Sequence, residues 1–194
     1  MQTSSLRIRI LVPTMLSVLI LLGVFAITAL WSQESGIKRE AETKLKSVEE
    51  LFTTLLDINA SMMGAALNVI MRDRQLMAAF REKDRESLYN QSRPIFEQLR
   101  SGYGITHLYF TDASRVNLLR VHQKDRYGDR IDRFTTLQAE KTGKLSYGIE
   151  LGPLGTFTLR VVIPWHDGGR LIGYVELGME VEQIIDELRK VLGV

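Results

Sequence analysis

The sequence predicts an α+β fold: an antiparallel sheet of about five strands packed on a long N-terminal helix, preceded by one membrane-spanning helix. Three observations carry this. Tyr147 to Gly178 alternates apolar and polar residues between glycine turns, as antiparallel strands with one buried face do. Ala41 to Phe80 repeats apolar residues at spacings of four and three, the signature of a helix with one apolar stripe. Ile10 to Trp31 runs for about 22 residues without a charge, long enough at about 1.5 Å per residue to cross a bilayer core.

In chain order, Arg7 and Arg9 precede the apolar run and place residues 1–9 in the cytoplasm, with 10–31 crossing the membrane and everything after it outside. A cleaved signal peptide is the competing reading. The run exceeds the core of about 7–15 residues that such peptides carry, and no A-x-A site follows, which favours an uncleaved anchor. Removing those two arginines from the 25 basic residues leaves the external part balanced against 23 acidic ones. Such neutrality argues against a nucleic-acid partner. With no cysteine, a disulfide framework and a c-type haem attachment are both excluded.

Residues 32–82 form the long helical segment. Ala41, Leu45, Val48, Phe52, Leu55, Asn59, Met62, Ala66, Val69, Asp73, Leu76 and Phe80 make a heptad seam, and no proline interrupts the chain between Pro13 and Pro94, so the helix is expected to reach about Ala79. Two uses of the stripe stay open. It covers the sheet, or its membrane-proximal part pairs with a second copy into a homodimer, with Asn59 fixing register.

Residues 83–194 carry the sheet. Asp84 is placed to cap a helix through Leu88, Ser92, Ile95 and Leu99 that ends at Gly102 and Gly104, with Pro94 predicting a kink or a later start. Ile105 to Phe110 reads as a strand with His107 and Tyr109 on one face, and Val116 to His122 as its neighbour with Leu118, Arg120 and His122 on one face. Gln123 to Lys144 is a charged connector containing a short helix with the capping box Thr135-x-x-Gln138, closed by Thr142-Gly143. A connector of that length within one sheet is usually functional, and it is expected to lie over the mixed face as a lid. Phe157, Leu159, Val161 and Ile163 then face one way and Thr158, Arg160 and Val162 the other, before Asp167-Gly168-Gly169 turns the chain into the last strand. Glu180 to Leu192 is an amphipathic helix with acids first and Arg189-Lys190 last.

Catalytic signatures are weak. His107, His122 and His166 lack metal-motif spacing, the glycines from Gly148 to Gly155 precede no Gly-Lys-Ser/Thr, and no G-x-S-x-G occurs, so neither an enzyme nor a cofactor is expected.

The blocks LLRVHQKDRYGDRIDR, GIELGPLGTFTLRVVIPW and IGYVELGMEVEQI resemble the Cache superfamily of extracytoplasmic sensor domains, in particular the double sensory domain of bacterial sensor kinases and chemoreceptors. The resemblance covers about Gly36 to Val194. It implies a PAS-like sheet behind a long helix, with a small molecule held between sheet and connector. Receptors of this kind continue into further sensor sequence, a second membrane helix and a cytoplasmic output module. Since these do not follow here, the chain is expected to be a piece of a larger receptor.

The candidate ligand-binding residues are Tyr109, Arg120, His122, Asp129, Arg133, Tyr147, Glu150, Arg160 and Trp165. Arginines amid otherwise apolar strands need an anionic partner, and a guanidinium grips a carboxylate through two parallel hydrogen bonds, which points to a small organic acid. Aromatic walls with Asp129 and Glu150 suit an amine or amino acid equally. Set against a site is the reading in which the arginines are internal salt bridges holding lid to sheet. At the level of function, a ligand-sensing receptor domain stands against an anchored protein-interaction module with no small ligand.

Overall fold

The computed structural model describes residues 3–152 and 155–193, with side chains described for 12–28, 39–40, 42–152 and 155–193. The chain divides into two compact units, Met1–Glu50 and Leu51–Val194.

The first unit is helical throughout its described residues and belongs to helix α1 (Thr3–Ile70), with Pro13 inside it. From Val12 to Thr28 every side chain is exposed. Two hydroxyls there turn back onto the helix: Ser17 Oγ donates to the Thr14 carbonyl at 2.8 Å and Thr28 Oγ1 to that of Val24 at 2.9 Å. Among the described residues no single helix is long and apolar enough to cross a membrane, and Val12–Thr28 is the apolar helical stretch. The flanks of the 10–31 segment lie outside the described side chains, as does Ala41. Leu45 is exposed and Val48 half-buried, and Lys44 pairs with Glu40 one turn away at 2.8 Å.

In the second unit a five-stranded antiparallel sheet has the order β2-β1-β5-β4-β3, from β1 (Ile105–Asp112), β2 (Asn117–Arg120), β3 (Ser146–Leu151), β4 (Phe157–Asp167) and β5 (Arg170–Glu180). Alternation sorts the side chains as the pattern predicts. Leu108, Phe110, Leu119, Leu159, Val161, Ile163, Val175, Leu177 and Met179 join one buried cluster with Ala60, Met63, Leu67 and Ile70 of α1, with Leu76 and Phe80 of α2 (Arg74–Arg81), and with Leu88 and Phe96 of α3 (Arg85–Tyr103). The opposite face carries His107, Tyr109, Arg120, Thr158, Arg160 and Glu176. It is covered by the loop after β2 and by α4 (Phe134–Thr142), with Ala139 against Val162 and Tyr174. Helix α5 (Val181–Leu192) follows β5, burying Val181 and Ile184.

The helical segment departs from the predicted continuous helix in two ways. α1 stops at Ile70, and α2 sets off at 78° to the preceding helical stretch. The reason lies in Asp73, whose carboxylate accepts from the Gln75 and Leu76 amides at 2.8 and 3.1 Å. A short carboxylate capping a new N-terminus outcompetes continuation of the old helix. The buried stripe also runs through Met63, Leu67 and Ile70 rather than along the heptad seam, leaving Val69 72% exposed. A straight helix of 3.6 residues per turn drifts off a 3.5-residue repeat, so positions read as a seam rotate away from the sheet.

Two smaller outcomes concern helix starts, the first with the predicted Asp84 cap in place. α3 begins at Arg85, with Asp84 accepting from the Ser87 amide at 3.0 Å, and runs through Pro94 without a later start. The Thr135-x-x-Gln138 box does not form. α4 has no side-chain cap of its own, and the Thr135 amide donates instead to Glu150 Oε1 at 2.7 Å, so the sheet supplies the cap.

Candidate functional site

Between the mixed sheet face and the loop after β2 lies a cavity of about 420 Å³. The loop is held at both ends. On its outgoing side Arg85 of α3 donates to the Leu118 and Lys124 carbonyls at 3.0 and 2.8 Å and stacks 3.3 Å from the ring centre of Tyr127, while Lys124 pairs with Glu86 at 2.6 Å. On its returning side the Asn117 amide donates to the Asp129 carbonyl, Gly128 to Asn117, and Ile131 to Arg115, each at 2.8 Å. Gly128 holds φ 85° in this ladder, a conformation in which a side chain would be strained.

Three arginines converge on Tyr109, which is 5% exposed. The guanidinium carbons of Arg120, Arg133 and Arg160 lie 5.1, 4.9 and 5.6 Å from its ring centre. Each also meets a carboxylate. Arg120, 3% exposed, donates two parallel bonds of 2.7 Å to Asp129 and a third of 2.8 Å to the Arg126 carbonyl. Arg133 reaches both oxygens of Glu176 at 2.8 Å, and Arg160 donates to the same carboxylate. Glu150 completes the group, with Oε2 3.4 Å from Arg133 Nε and 3.6 Å from Arg160 Nε.

The electrostatics follow from this packing. The bidentate bond from Arg120 holds the Asp129 carboxyl below its ordinary range. Burial works against the charge on Arg120 and Arg133. The hydrogen bond that Arg120 donates to Asp129, and the charge of Glu176 near Arg133, nevertheless leave both guanidiniums firmly protonated. His107 and His122 stand ring to ring, 4.5 Å apart, beside Tyr109. Burial, followed by the charges of Arg160, Arg133 and Arg120, pushes His107 down to about 4. Burial, His107 and the arginines take His122 to about 3. Both imidazoles are therefore neutral at pH 7.

Of the predicted site residues, Tyr109, Arg120, His122, Asp129, Arg133 and Arg160 line this cavity, and Glu150 lies among their ion pairs. Tyr147 and Trp165 do not. Tyr147 belongs to the alternate face of β3, is 45% exposed, and donates its hydroxyl to Asp57 of α1 at 2.8 Å. Trp165 shares the face of Leu159, Val161 and Ile163; it is buried against Phe80 and Phe110 and donates to the Met71 carbonyl at 3.1 Å. The alternation along β4 already placed Trp165 on the helix side, so its inclusion ran against the pattern.

Reasoning from sequence missed Glu176 and His107. Glu176, 2% exposed, is the carboxylate shared by Arg133 and Arg160, and a lone acid inside the apolar strand IGYVELG is as conspicuous as the arginines. His107 shares a face with Tyr109 two residues on. Among the described residues no group of three His, Asp or Glu side chains is arranged to hold a metal ion.

A family model described as the double sensory domain of two-component sensor kinases matches residues 38–194. Among curated proteins none matches the chain. Of solved structures, the Escherichia coli DcuS sensor domain aligns with a TM-score of 0.59 at 21% identity, over 70% of this chain and 98% of that one. A domain of a putative sensory box/GGDEF family protein from Vibrio parahaemolyticus aligns with a TM-score of 0.58 at 18% identity, over 78% and 63%. The sensor domain of the Vibrio cholerae histidine kinase DctB gives 0.53 at 17%, over 71% and 57%. This chain thus spans less than two thirds of the last two. At such identities the likeness concerns the fold: an antiparallel sheet behind a long helix. With the family match extending over most of its length, the chain belongs to the double sensory domain family of two-component sensor kinases, a sensory rather than a catalytic family of Cache type.

Proposed function

We propose that the chain is the extracytoplasmic ligand-sensing part of a membrane-bound receptor, and that a small organic acid or amino acid enters the cavity under the loop. In this reading residues 1–9 lie inside, 10–31 anchor the chain, 32–82 form the stalk and sheet cover, and 83–194 form the binding core. The observation that carries it is the cavity itself. About 420 Å³ of space is walled by an aromatic ring, three guanidiniums and two neutral imidazoles, the mixture of apolar wall and few polar groups that ligand sites use. Signalling follows as a population shift: ligand contacts tighten the loop on the sheet, and the sheet displaces the long helix against a partner copy. Moving such an equilibrium from mostly off to mostly on takes about 5.5 kcal/mol of differential affinity.

One observation favours the alternative, an anchored interaction module without a small ligand. Arg120, Arg133 and Arg160 each already have a carboxylate partner. Thermal-shift screening of the full chain in detergent against organic acids, amino acids and amines separates the two. A ligand at 100 times its dissociation constant raises stability by about 2.7 kcal/mol, and a flat response across the whole panel leaves the interaction module standing.

A further inference from the structure

The polar atoms around the cavity that lack partners differ in kind from one place to another. Thr106 Oγ1 lies 2.7 Å from His107 Nδ1 and 3.2 Å from the Gly178 carbonyl. A carbonyl only accepts, so with the single hydroxyl proton of Thr106 on Gly178 the nitrogen that donates to Thr106 is His107 Nδ1. A neutral imidazole carries one N–H, so His107 Nε2 holds a lone pair, and among the described residues no group donates to it. This ring is part of the cavity wall. Burial and the neighbouring arginines hold His107 neutral, down to about 4, which keeps that lone pair free at pH 7.

The donor side is equally defined. Arg120 Nε, Arg133 Nε and Arg160 Nε are buried without hydrogen-bond partners on residues that line the cavity, as are Thr158 Oγ1 and His122 Nδ1, and the three guanidinium donors left in that state ask for an acceptor. Arg120, Arg133 and Arg160 gather within 5.6 Å of the Tyr109 ring centre, and their field is unfavourable to a ligand ammonium. Of the carboxylates on the cavity wall, Asp129 is engaged by Arg120 and Asp132 by Arg115 and Arg130, which leaves Glu180 as the remaining one, while Glu150 and Glu176 beside the wall are engaged by Arg133 and Arg160.

We propose that the cavity selects a 2-hydroxy acid, a carboxylate with a neutral hydroxyl beside it, over the matching amino acid or unsubstituted acid. The hydroxyl donates to His107 Nε2 and the carboxylate faces the arginine cluster. The inference rests on the reading that the cavity takes a small organic acid, and it narrows the class within that reading.

Two skeleton-matched trios test it on the full chain in detergent by titration calorimetry: lactate, propionate and alanine, then mandelate, phenylacetate and phenylglycine, whose ring gives the larger occupant. In at least one trio the hydroxy acid binds roughly tenfold tighter than both relatives, the worth of about one well-placed hydrogen bond. His107→Phe brings the ratio of hydroxy acid to plain acid within about twofold, since the ring stays and the acceptor goes. Thr106→Val, which frees the tautomer while leaving the imidazole, narrows the same ratio and serves if the phenylalanine variant does not fold. Equal binding of the plain acid, tighter binding of the amino acid, a preference that survives both substitutions, or no binding of any of the six overturns the inference. Capture of an amine or amino acid in the broader screen overturns it alone and leaves the cavity a binding site, whereas a flat screen removes the binding reading as well.

Discussion

Glu176 joins the central strand of the sheet to the loop-borne Arg133 and to Arg160 of β4, at 2% exposure. Taking one member from a buried ionic group leaves the others uncompensated, so Glu176→Gln is expected to cost about 3–5 kcal/mol in denaturant unfolding. A loss under about 1 kcal/mol would mean that water reaches the pair freely. The opposite sign is expected at Lys83, which ends α2 at φ 55° with its amide on the Phe80 carbonyl. This is the left-handed position that glycine fills in helix caps, and its ion pair with Asp112 is long and largely exposed at 3.9 Å. Lys83→Gly should therefore leave the fold as stable or raise it by about 0.5–1 kcal/mol. Gly173 allows no such freedom. A Cβ there would fall 2.3 Å from the Thr111 carbonyl and 2.5 Å from the Phe80 ring, so Gly173→Ala is expected to destabilise by about 1–3 kcal/mol.

At the scale of elements, the strands were legible because period-2 alternation is local and each strand buries one face. His107, Tyr109, Thr158 and Arg160 fall on the mixed face as their spacing says. The end of α1 was not legible, since Asp73 satisfies a heptad count and an N-cap equally well until its carboxylate is seen on the Gln75 and Leu76 amides. Nor was the cap of α4. Glu150 reaches the Thr135 amide from 15 residues away across the fold, and no local motif encodes that. The membrane-proximal seam remains as a proposal with a direct check. Cysteines at Leu45 or Val48 should crosslink between copies, and a cysteine at Glu49 should crosslink far less. Equal yields at all three positions would remove this stretch as a pairing surface.

For the whole molecule, the half-buried His107 and His122 are expected to set the acid limb of stability. In the folded chain His107 and His122 titrate near 4 and 3, below the ordinary value of 6.5. As pH falls through 6.5 the unfolded chain takes up protons that the folded chain refuses, so stability is lost from about pH 6.5 downward. By pH 5 this amounts to at most about 2 kcal/mol for each imidazole. Asp129, also depressed, adds its loss only at lower pH. Melting at pH 7 and pH 5 should show the drop in the native chain and a smaller one in a His107→Phe, His122→Phe double variant; identical drops would show that other groups govern it.

The cavity was readable from the sequence as far as arginines in apolar strands can point to it. Which carboxylate meets which arginine was not, because Glu176 and Arg133 are 43 residues apart and are joined only by the sheet order. That pairing matters for the central claim, that the space under the loop receives a ligand and is more than a cluster of salt bridges. Arg120 separates the two. Its partner Asp129 has a side chain 45% exposed and turns to water when released, whereas Arg160 neutralises Glu176 and Glu150, whose side chains are 3% and 9% exposed. The decisive measurement is the melting of the native chain, Arg120→Met and Arg160→Met, each alone and with the acid from the screen that shifts the native chain most. The account predicts that empty Arg120→Met melts near the native chain and loses the ligand shift, while Arg160→Met loses both stability and shift. A large loss of stability in empty Arg120→Met, or a ligand shift that survives in it, would contradict the account.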